Sequence, residues 1–145
     1  MAIFALAGCK SVSQSHHNAC QVGLNFSIDN TIDSKHIVDF DKLHGKVSKA
    51  YSKPSQSNHL LELELVKAYV RPNAYILVAT AVVARKDNNG ERVNYYRASN
   101  VDANLANLDS EYQSALNNVV LLAIQKAVID QQNTCNNLAS PAVSS

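Results

Sequence analysis

The stretch AYILVATAVVARKDNNGERVNYYRASNV, residues 74–101, decides the fold. Its first part, 74–86, is apolar on both faces, which predicts a central strand that is covered on both sides. The sequence DNNG at 87–90 predicts a hairpin turn, because asparagine and glycine tolerate positive φ angles. The more polar segment 91–101 then runs back as the next strand, so the two segments form an antiparallel pair.

Upstream of this hairpin, residues 59–70 (HLLELELVKAYV) alternate between apolar and polar side chains. Leu61, Leu63 and Leu65 fall on one face, which is typical of a half-buried strand. The link RPN at 71–73 is tight, so this strand pairs with the one that follows. Together the three strands predict an antiparallel meander.

The first third of the predicted domain contributes one strand and one helix. Residues 20–28 (CQVGLNFSI) alternate like the later strand. From about Ser34 to Tyr51 the apolar residues fall three and four apart, which predicts a helix that ends before Pro54. The apolar positions of the strand are Val22, Leu24, Phe26 and Ile28, and those of the helix are Ile37, Phe40, Leu43, Val47 and Tyr51.

The last element is the clearest helix in the sequence. Asp109 can cap its first turn, and Glu111 complements the helix dipole. Its apolar stripe predicts packing on the sheet and an end near Gln131. The element order is therefore β-α-β-β-β-α, which predicts an α+β fold of about four antiparallel strands with two helices packed on them. The stripe consists of Tyr112, Leu116, Val119, Ala123 and Ala127, and is widened by Ala115, Val120 and Ile124.

Composition limits the classes of function that fit this chain. The sequence has 145 residues, a formal net charge of +1 and 46% hydrophobic residues, which predicts a single globular domain. A general nucleic-acid binder would carry a basic excess, so we expect no nucleic-acid partner. The longest apolar run, VVLLAI at 119–124, is far shorter than a membrane span.

The N-terminal sequence MAIFALAGC, residues 1–9, ends in the form of a bacterial lipobox: an aliphatic residue, two small residues and a cysteine. It predicts a residual signal peptide at 1–8, lipidation of Cys9, and a flexible tether that completes the segment 9–19. Nothing basic precedes the cysteine, which favours a start inside a longer signal. The alternative is an ordinary buried N-terminal segment.

The remaining cysteines, Cys20 and Cys135, lie at the two ends of the predicted domain, 20–135. In an oxidising periplasm such a pair predicts a disulfide, and the alternative is two unpaired thiols. The polar residues 136–145 predict a disordered tail.

The segment NYYRASN at 94–100, placed after a hairpin and before a long helix, resembles the YajG-like lipoproteins of Gram-negative bacteria. The likeness covers about residues 59–130, and the transport-auxiliary lipoproteins share the same general layout. Either family implies a lipid-anchored periplasmic domain that is not an enzyme. Lys10, directly after Cys9, favours sorting to the outer membrane by analogy with these lipoproteins.

The resemblance implies two functions that differ in class. One is a binding or structural lipoprotein that holds or recognises an envelope protein or lipid. The alternative is a carrier of a small ligand or lipid, acting as the auxiliary of an envelope transport system. A carrier needs an apolar cavity of a few hundred Å³ between helix and sheet, whereas a binding domain has a filled core.

No catalytic motif stands out, and we expect neither an enzyme nor a cofactor. The sequences GxSxG, GxGxxG and GxxxxGK[ST] are absent. Glu62 and Glu64 could serve as acid and base, since they share one face of a strand at roughly 6–7 Å, but we interpret them as part of a solvated or edge-facing side of the sheet. His16, His17 and Cys20 lack a partner motif, so we expect no metal site.

Two surface features are candidates for partner binding. One is a basic stripe on the first helix, for which the alternative is a solvated face. The other is the cluster YYR on the last strand, which has the composition of an interaction hot spot. For the cluster, the alternative places Tyr95 in the core and Tyr96 at a sheet edge. The stripe consists of Lys42, Lys46, Lys49 and Lys53, and the cluster of Tyr95, Tyr96 and Arg97.

Overall fold

The computed structural model describes residues 20–32, 40–51, 59–103 and 109–139, and confirms the α+β class and the predicted order of elements. These residues form four strands and two helices. The elements are β1 (Val22–Ile28), α1 (Phe40–Ala50), β2 (His59–Pro72), β3 (Ile76–Lys86), β4 (Arg92–Ala103) and α2 (Asp109–Ala139).

The strands form one sheet in the order β1-β2-β3-β4. The predicted antiparallel meander of β2, β3 and β4 is confirmed. The prediction of an entirely antiparallel sheet is wrong, because β1 pairs with β2 in parallel, from Val22 opposite His59 to Ile28 opposite Leu65. The reason lies in the connection: the chain that joins the two strands contains α1, and a helical crossover returns the chain to the same end of the sheet.

Both helices pack on one face of the sheet and form the core there. The stripe of α2 is buried as predicted, with Val119 and Ile124 fully covered. Leu43 and Val47 of α1 are buried in the same cluster, and the ring of His44 meets Phe26 of β1 edge-on at 5.4 Å. The inward residues of the strands complete the core: Leu24, Leu61, Leu63, Leu65, Val70, Leu77, Ala79, Ala81, Val83 and Ala98.

The turn between β3 and β4 forms as the sequence predicts. The carboxylate of Asp87 accepts hydrogen bonds from the backbone N–H groups of Asn89 and Glu91, both at 2.9 Å. Gly90 has a φ of 82°, a conformation that glycine adopts without steric cost. The turn therefore helps to fix the register of β3 against β4.

Helix α2 continues past the predicted end at Gln131 to Ala139. Residues 136–139 of the predicted tail are therefore helical, and 140–145 lie outside the described residues. The apolar stripe stops before these last turns, which is why the pattern predicts an earlier end. Cys135 lies in them, close to Cys20 at the start of β1, so a tertiary contact holds the polar end of the helix in place.

We call the sheet face away from the helices the open face. None of the described elements packs on this face, so the prediction that β3 is covered on both sides is wrong for the part of the chain that the structure describes. Thr80 and Ala84 point to the open face and are nevertheless buried, because side chains of the two neighbouring strands cover them. Small residues such as Thr80 and Ala84 therefore give a central strand the same sequence pattern as a strand that is covered on both faces.

Candidate functional site: the open face of the sheet

A row of three hydroxyl groups crosses the open face. Tyr69 of β2 lies opposite Thr80 of β3, which lies opposite Ser99 of β4. The oxygens of Thr80 and Ser99 are 2.9 Å apart, and Thr80 also forms a hydrogen bond with the Tyr69 hydroxyl. Because Thr80 is 2% exposed, this row has a fixed centre on a rigid strand.

Cationic side chains surround the row. Lys67 and Arg71 lie two residues on either side of Tyr69, so all three point to one face of β2. The Lys67 Nζ atom is 5.4 Å and the Arg71 Cζ atom 5.1 Å from the centre of the tyrosine ring, within the range of cation–π attraction. Arg97 of β4 lies opposite Val82, which lies opposite Lys67, so it projects from the same face.

The pKa of Tyr69 reflects the hydrogen bond and the positive charges that surround its hydroxyl. The hydrogen bond from Thr80 lowers the pKa of Tyr69, and the positive charges of Arg71, Arg97 and Lys67 lower this pKa further. A site that stabilises a phenolate also attracts other anions, because the same donors and charges act on both. We call Lys67, Tyr69, Arg71, Thr80 and Arg97 the tyrosine–cation cluster.

Exposed apolar side chains extend the open face beyond the cluster. Tyr95 is 60% and Val101 59% exposed, opposite Ala84 and Val78 of β3 respectively. Arg97 and Ser99 lie between them on the same face of β4, and exposed aromatic and apolar side chains interspersed with fixed charges are typical of an interaction surface. Leu60 and Ile76 also lie on this face and are exposed.

The YYR cluster is divided between the two faces of the sheet. Tyr95 and Arg97 lie on the open face, so the alternative that places Tyr95 in the core is wrong. Tyr96 points to the helices and donates a hydrogen bond from its hydroxyl to the Asp130 carboxylate of α2 at 2.6 Å. Burial raises the pKa of Tyr96, and the negative charge of Asp130 adds to this rise. Tyr96 therefore positions α2, and the role of its two neighbours in binding a partner stays a prediction.

Glu64 takes part in an ion-pair network at the end of the sheet. Its carboxylate accepts hydrogen bonds from Lys86 Nζ at 3.0 Å and from Arg92 Nε at 2.8 Å. Burial opposes ionisation of this group, but the two donors outweigh burial and lower the pKa of Glu64. A catalytic acid needs a raised pKa, so the arrangement favours a structural role over the acid–base pair with Glu62.

The same arginine binds a second carboxylate. Arg92 also donates to Asp29 at the end of β1, so one guanidinium links β1, β2 and β4. Hydrogen bonds from the Thr31 backbone and hydroxyl, and then from Arg92, lower the pKa of Asp29 to about 2. The network therefore fastens the parallel edge strand to the hairpin.

The basic stripe is described in part. Lys42 and Lys49 are exposed on α1, Lys46 is half-buried, and Lys53 lies outside the described residues. These lysines and the tyrosine–cation cluster belong to different elements, and the use of the stripe as an interface stays a prediction.

Cys20 and Cys135 are brought together as the sequence predicts. Their Cα atoms are 6.1 Å apart and their sulfurs lie at disulfide distance. His59, the first residue of β2, lies beside them, and its imidazole and the two sulfurs lie within 4.8 Å of one another. Cys9, His16 and His17 lie outside the described residues.

Sequence reasoning missed Lys67, Tyr69, Arg71 and His59. The first three repeat with the strand period in VKAYVRP, and an aromatic residue between two cations on one strand face is a signal that could have been read. His59 carried no such signal. Its proximity to the cysteines follows from the register of β1 against β2, in which Val22 lies opposite His59.

The space between α2 and the sheet is filled with side chains. Val119, Val120, Ala123, Ile124 and Ala127 are fully buried there. Two concavities lie at the edges of the domain. An open cleft of about 530 Å³ lies between β1 and α1, and another of about 640 Å³ lies between the start of β1 and the ends of α1 and α2.

Neither a protein-family model nor a curated protein matches this chain. The resemblance to YajG-like and transport-auxiliary lipoproteins therefore stays a prediction. In the described part of the sequence, neither helix is long and apolar enough to cross a bilayer.

Proposed function

We propose that this chain is a lipid-anchored binding domain of the bacterial outer membrane that faces the periplasm and recognises an envelope protein through its open face. In this proposal Cys9 carries the anchor and the residues up to Ala19 act as the tether. The domain performs no catalysis. The partner presents an acidic and partly apolar surface to the tyrosine–cation cluster.

The observation that carries this proposal is the arrangement of the two sheet faces. One face has a filled core with both helices, and the other presents Lys67, Tyr69, Arg71 and Arg97 on rigid strands. Tyrosine and arginine dominate the energetics of protein interfaces, because they combine large contact area with directed hydrogen bonds. A site built on strands also holds these side chains at low entropic cost.

The charge of the cluster favours an acidic protein over a nucleic acid. Three cations are concentrated on the open face, whereas the formal net charge of the whole chain is only +1. Polynucleotide binding depends on extended basic surfaces that neutralise many phosphates. A compact group of cations beside exposed Tyr95 and Val101 is instead complementary to a carboxylate-bearing, partly apolar protein surface.

Site-specific photocrosslinking in the cells that make the protein tests this proposal. A photoreactive amino acid in place of Tyr95 should yield a discrete crosslinked protein, and the same group in place of Gln125 on the exposed side of α2 should not. The crosslink should disappear in the double variant Arg71→Glu, Arg97→Glu. Equal crosslinking with and without these charge reversals would contradict recognition by the cluster.

A carrier of a small ligand or lipid is the second candidate, and the cleft between β1 and α1 is the observation that favours it. Phe26, Ile28 and Ile32 contribute apolar surface to this cleft, while Asp29 and Asp41 contribute carboxylates. A fluorescent fatty-acid probe should bind saturably if this candidate is correct, and Ile28→Asp should abolish that binding. If the probe shows no saturable binding to the folded protein, the carrier function is excluded.

A further inference from the structure

We infer that Cys20, Cys135 and His59 form a redox-gated zinc site, which binds one Zn²⁺ when the cysteine pair is reduced and releases it when the pair is oxidised. This site is separate from the open face and does not depend on the proposed partner.

Three elements bring the ligands together. Cys20 precedes β1, Cys135 lies in the last turns of α2, and His59 begins β2. The backbone N–H of His59 donates to the Gln21 carbonyl at 3.3 Å, so the histidine is fixed next to the first cysteine by the parallel pairing of β1 and β2. The ligand atoms are therefore positioned by the fold, not by one flexible loop.

The spacing of the ligand atoms suits zinc after reduction. All three lie within 4.8 Å of one another. In a tetrahedral site with Zn–S bonds of about 2.3 Å and Zn–N bonds of about 2.0 Å, ligand atoms lie roughly 3.5–3.8 Å apart. The two sulfurs need only separate by side-chain rotation once their bond is broken, while the histidine is already within reach.

The chemistry and exposure of the group also suit zinc. Two thiolates and an imidazole are a common donor set for this ion, and they leave the fourth position for water. His59 is exposed and both cysteines are half-buried, so an ion can enter from solvent. Among the described residues, this is the single group of three such ligands at metal-binding distance.

The gating step balances as a thiol–disulfide exchange. A dithiol reductant transfers two electrons and two protons to the Cys20–Cys135 disulfide, which opens to two thiols while the reductant becomes a disulfide. Zinc then displaces the two thiol protons to solvent and forms two thiolate bonds, and neutral His59 contributes its lone pair. On reoxidation, the Cys20–Cys135 bond forms again and the two electrons pass to an oxidising protein disulfide, which opens and takes up two protons from solvent to become a dithiol, and the ion leaves.

Zinc titration of the whole protein tests the inference. The protein is reduced with a phosphine, freed of excess reductant under anaerobic conditions, and titrated with Zn²⁺ against a chromophoric chelator. We expect one zinc per reduced chain and none for the oxidised chain. His59→Ala should weaken binding at least tenfold, whereas the matched control His44→Ala on α1 should leave it unchanged.

A second measurement tests the inference even if the protein unfolds on reduction. Circular dichroism and thermal melting of the reduced protein should show that zinc raises the melting temperature, or restores the folded spectrum if reduction removes it. Cobalt should give the absorption of a tetrahedral thiolate site that weakens in His59→Ala. The inference is overturned if reduced wild type binds zinc no more tightly than Cys20→Ser, Cys135→Ser, or if His59→Ala behaves as wild type.

Discussion

The Arg71 guanidinium carbon lies 5.1 Å from the centre of the Tyr69 ring, on a sheet face that the described helices leave open. Lys67 approaches the same ring to 5.4 Å, and the Tyr69 hydroxyl forms a hydrogen bond with Thr80. Two cations thus lie against the ring of Tyr69, and a hydrogen bond fixes its hydroxyl. This geometry distinguishes the open face from an ordinary solvated sheet face, where side chains lack fixed partners.

Tyr69 should titrate below the ordinary pKa of tyrosine. Thr80→Val removes the hydrogen bond that contributes most to the lowering, so it should raise the pKa of Tyr69. Ultraviolet spectrophotometric titration of wild type, Tyr69→Phe and Thr80→Val measures the effect. The early-titrating fraction should vanish in Tyr69→Phe, and the titration of Thr80→Val should shift to higher pH. An identical titration curve for all three proteins would show that the cluster does not act on this hydroxyl.

Acid should weaken the link between β1 and the hairpin. The pKa of Asp29 is about 2 in the folded protein and 3.8 in the unfolded chain, so the unfolded chain binds more protons between these values. The contribution of Asp29 to the free energy of unfolding is therefore complete above about pH 4 and is lost as the pH falls towards 2.

Urea unfolding of wild type and Asp29→Asn from pH 6 to pH 2 measures this loss. The difference in stability between the two proteins should shrink as the pH falls. Arg92→Met should reproduce part of the effect, since it removes a donor to both Asp29 and Glu64. A difference that stays constant across this range would contradict the role of the Asp29 carboxylate.

A charge on the buried side of α2 should unfold the domain. Val119 is fully buried, so Val119→Asp places an unpaired carboxylate in the core at a cost of several kcal/mol. That loss is a large fraction of a total stability of about 5–15 kcal/mol. Lys46→Glu on α1 should change stability by less than about 0.5 kcal/mol. Thermal melting of both variants tests the packing, and a Val119→Asp protein that melts like wild type would show that it is wrong.

Cys9 should carry the lipid anchor. The lipobox LAGC predicts cleavage before this cysteine and acylation of its thiol and amine. Mass spectrometry of the protein made in a Gram-negative host with a full-length signal should find a triacylated N-terminal cysteine, and Cys9→Ser should abolish the modification. An uncleaved and unmodified N-terminus from that same precursor would refute the prediction.

Local sequence pattern predicts the helices and strands, whereas the direction of β1 in the sheet depends on long-range pairing. Period-two alternation around Leu61, Leu63 and Leu65 was sufficient for β2, and the DNNG sequence for the hairpin. The direction of β1 was not predictable in this way, because alternation is the same in parallel and antiparallel strands and only the crossover through α1 distinguishes them.

The candidate sites also differ in how far the sequence predicts them. The Cys20–Cys135 pair was predictable because few cysteines leave few pairings, and their Cα atoms are 6.1 Å apart. The separation of Tyr96 from Tyr95 follows from strand alternation, but the sequence does not show which of the two faces the helices. In the structure it is Tyr96, which is half-buried and donates a hydrogen bond to Asp130 of α2. The period-two spacing of Lys67, Tyr69 and Arg71 places them on one strand face, but their position beside Thr80 and Arg97 follows only from the pairing of β2 with β3 and β4.

The most direct measurement compares charge reversal on the two candidate surfaces in the photocrosslinking assay. With the photoreactive group in place of Tyr95, Arg71→Glu, Arg97→Glu should abolish the crosslinked partner, because acidic side chains would replace cations of the tyrosine–cation cluster. Lys42→Glu, Lys49→Glu on α1 should leave the yield unchanged, and both variants should melt like wild type. A crosslink that survives reversal on the open face, or that is lost only with the α1 lysines, would contradict recognition through the cluster.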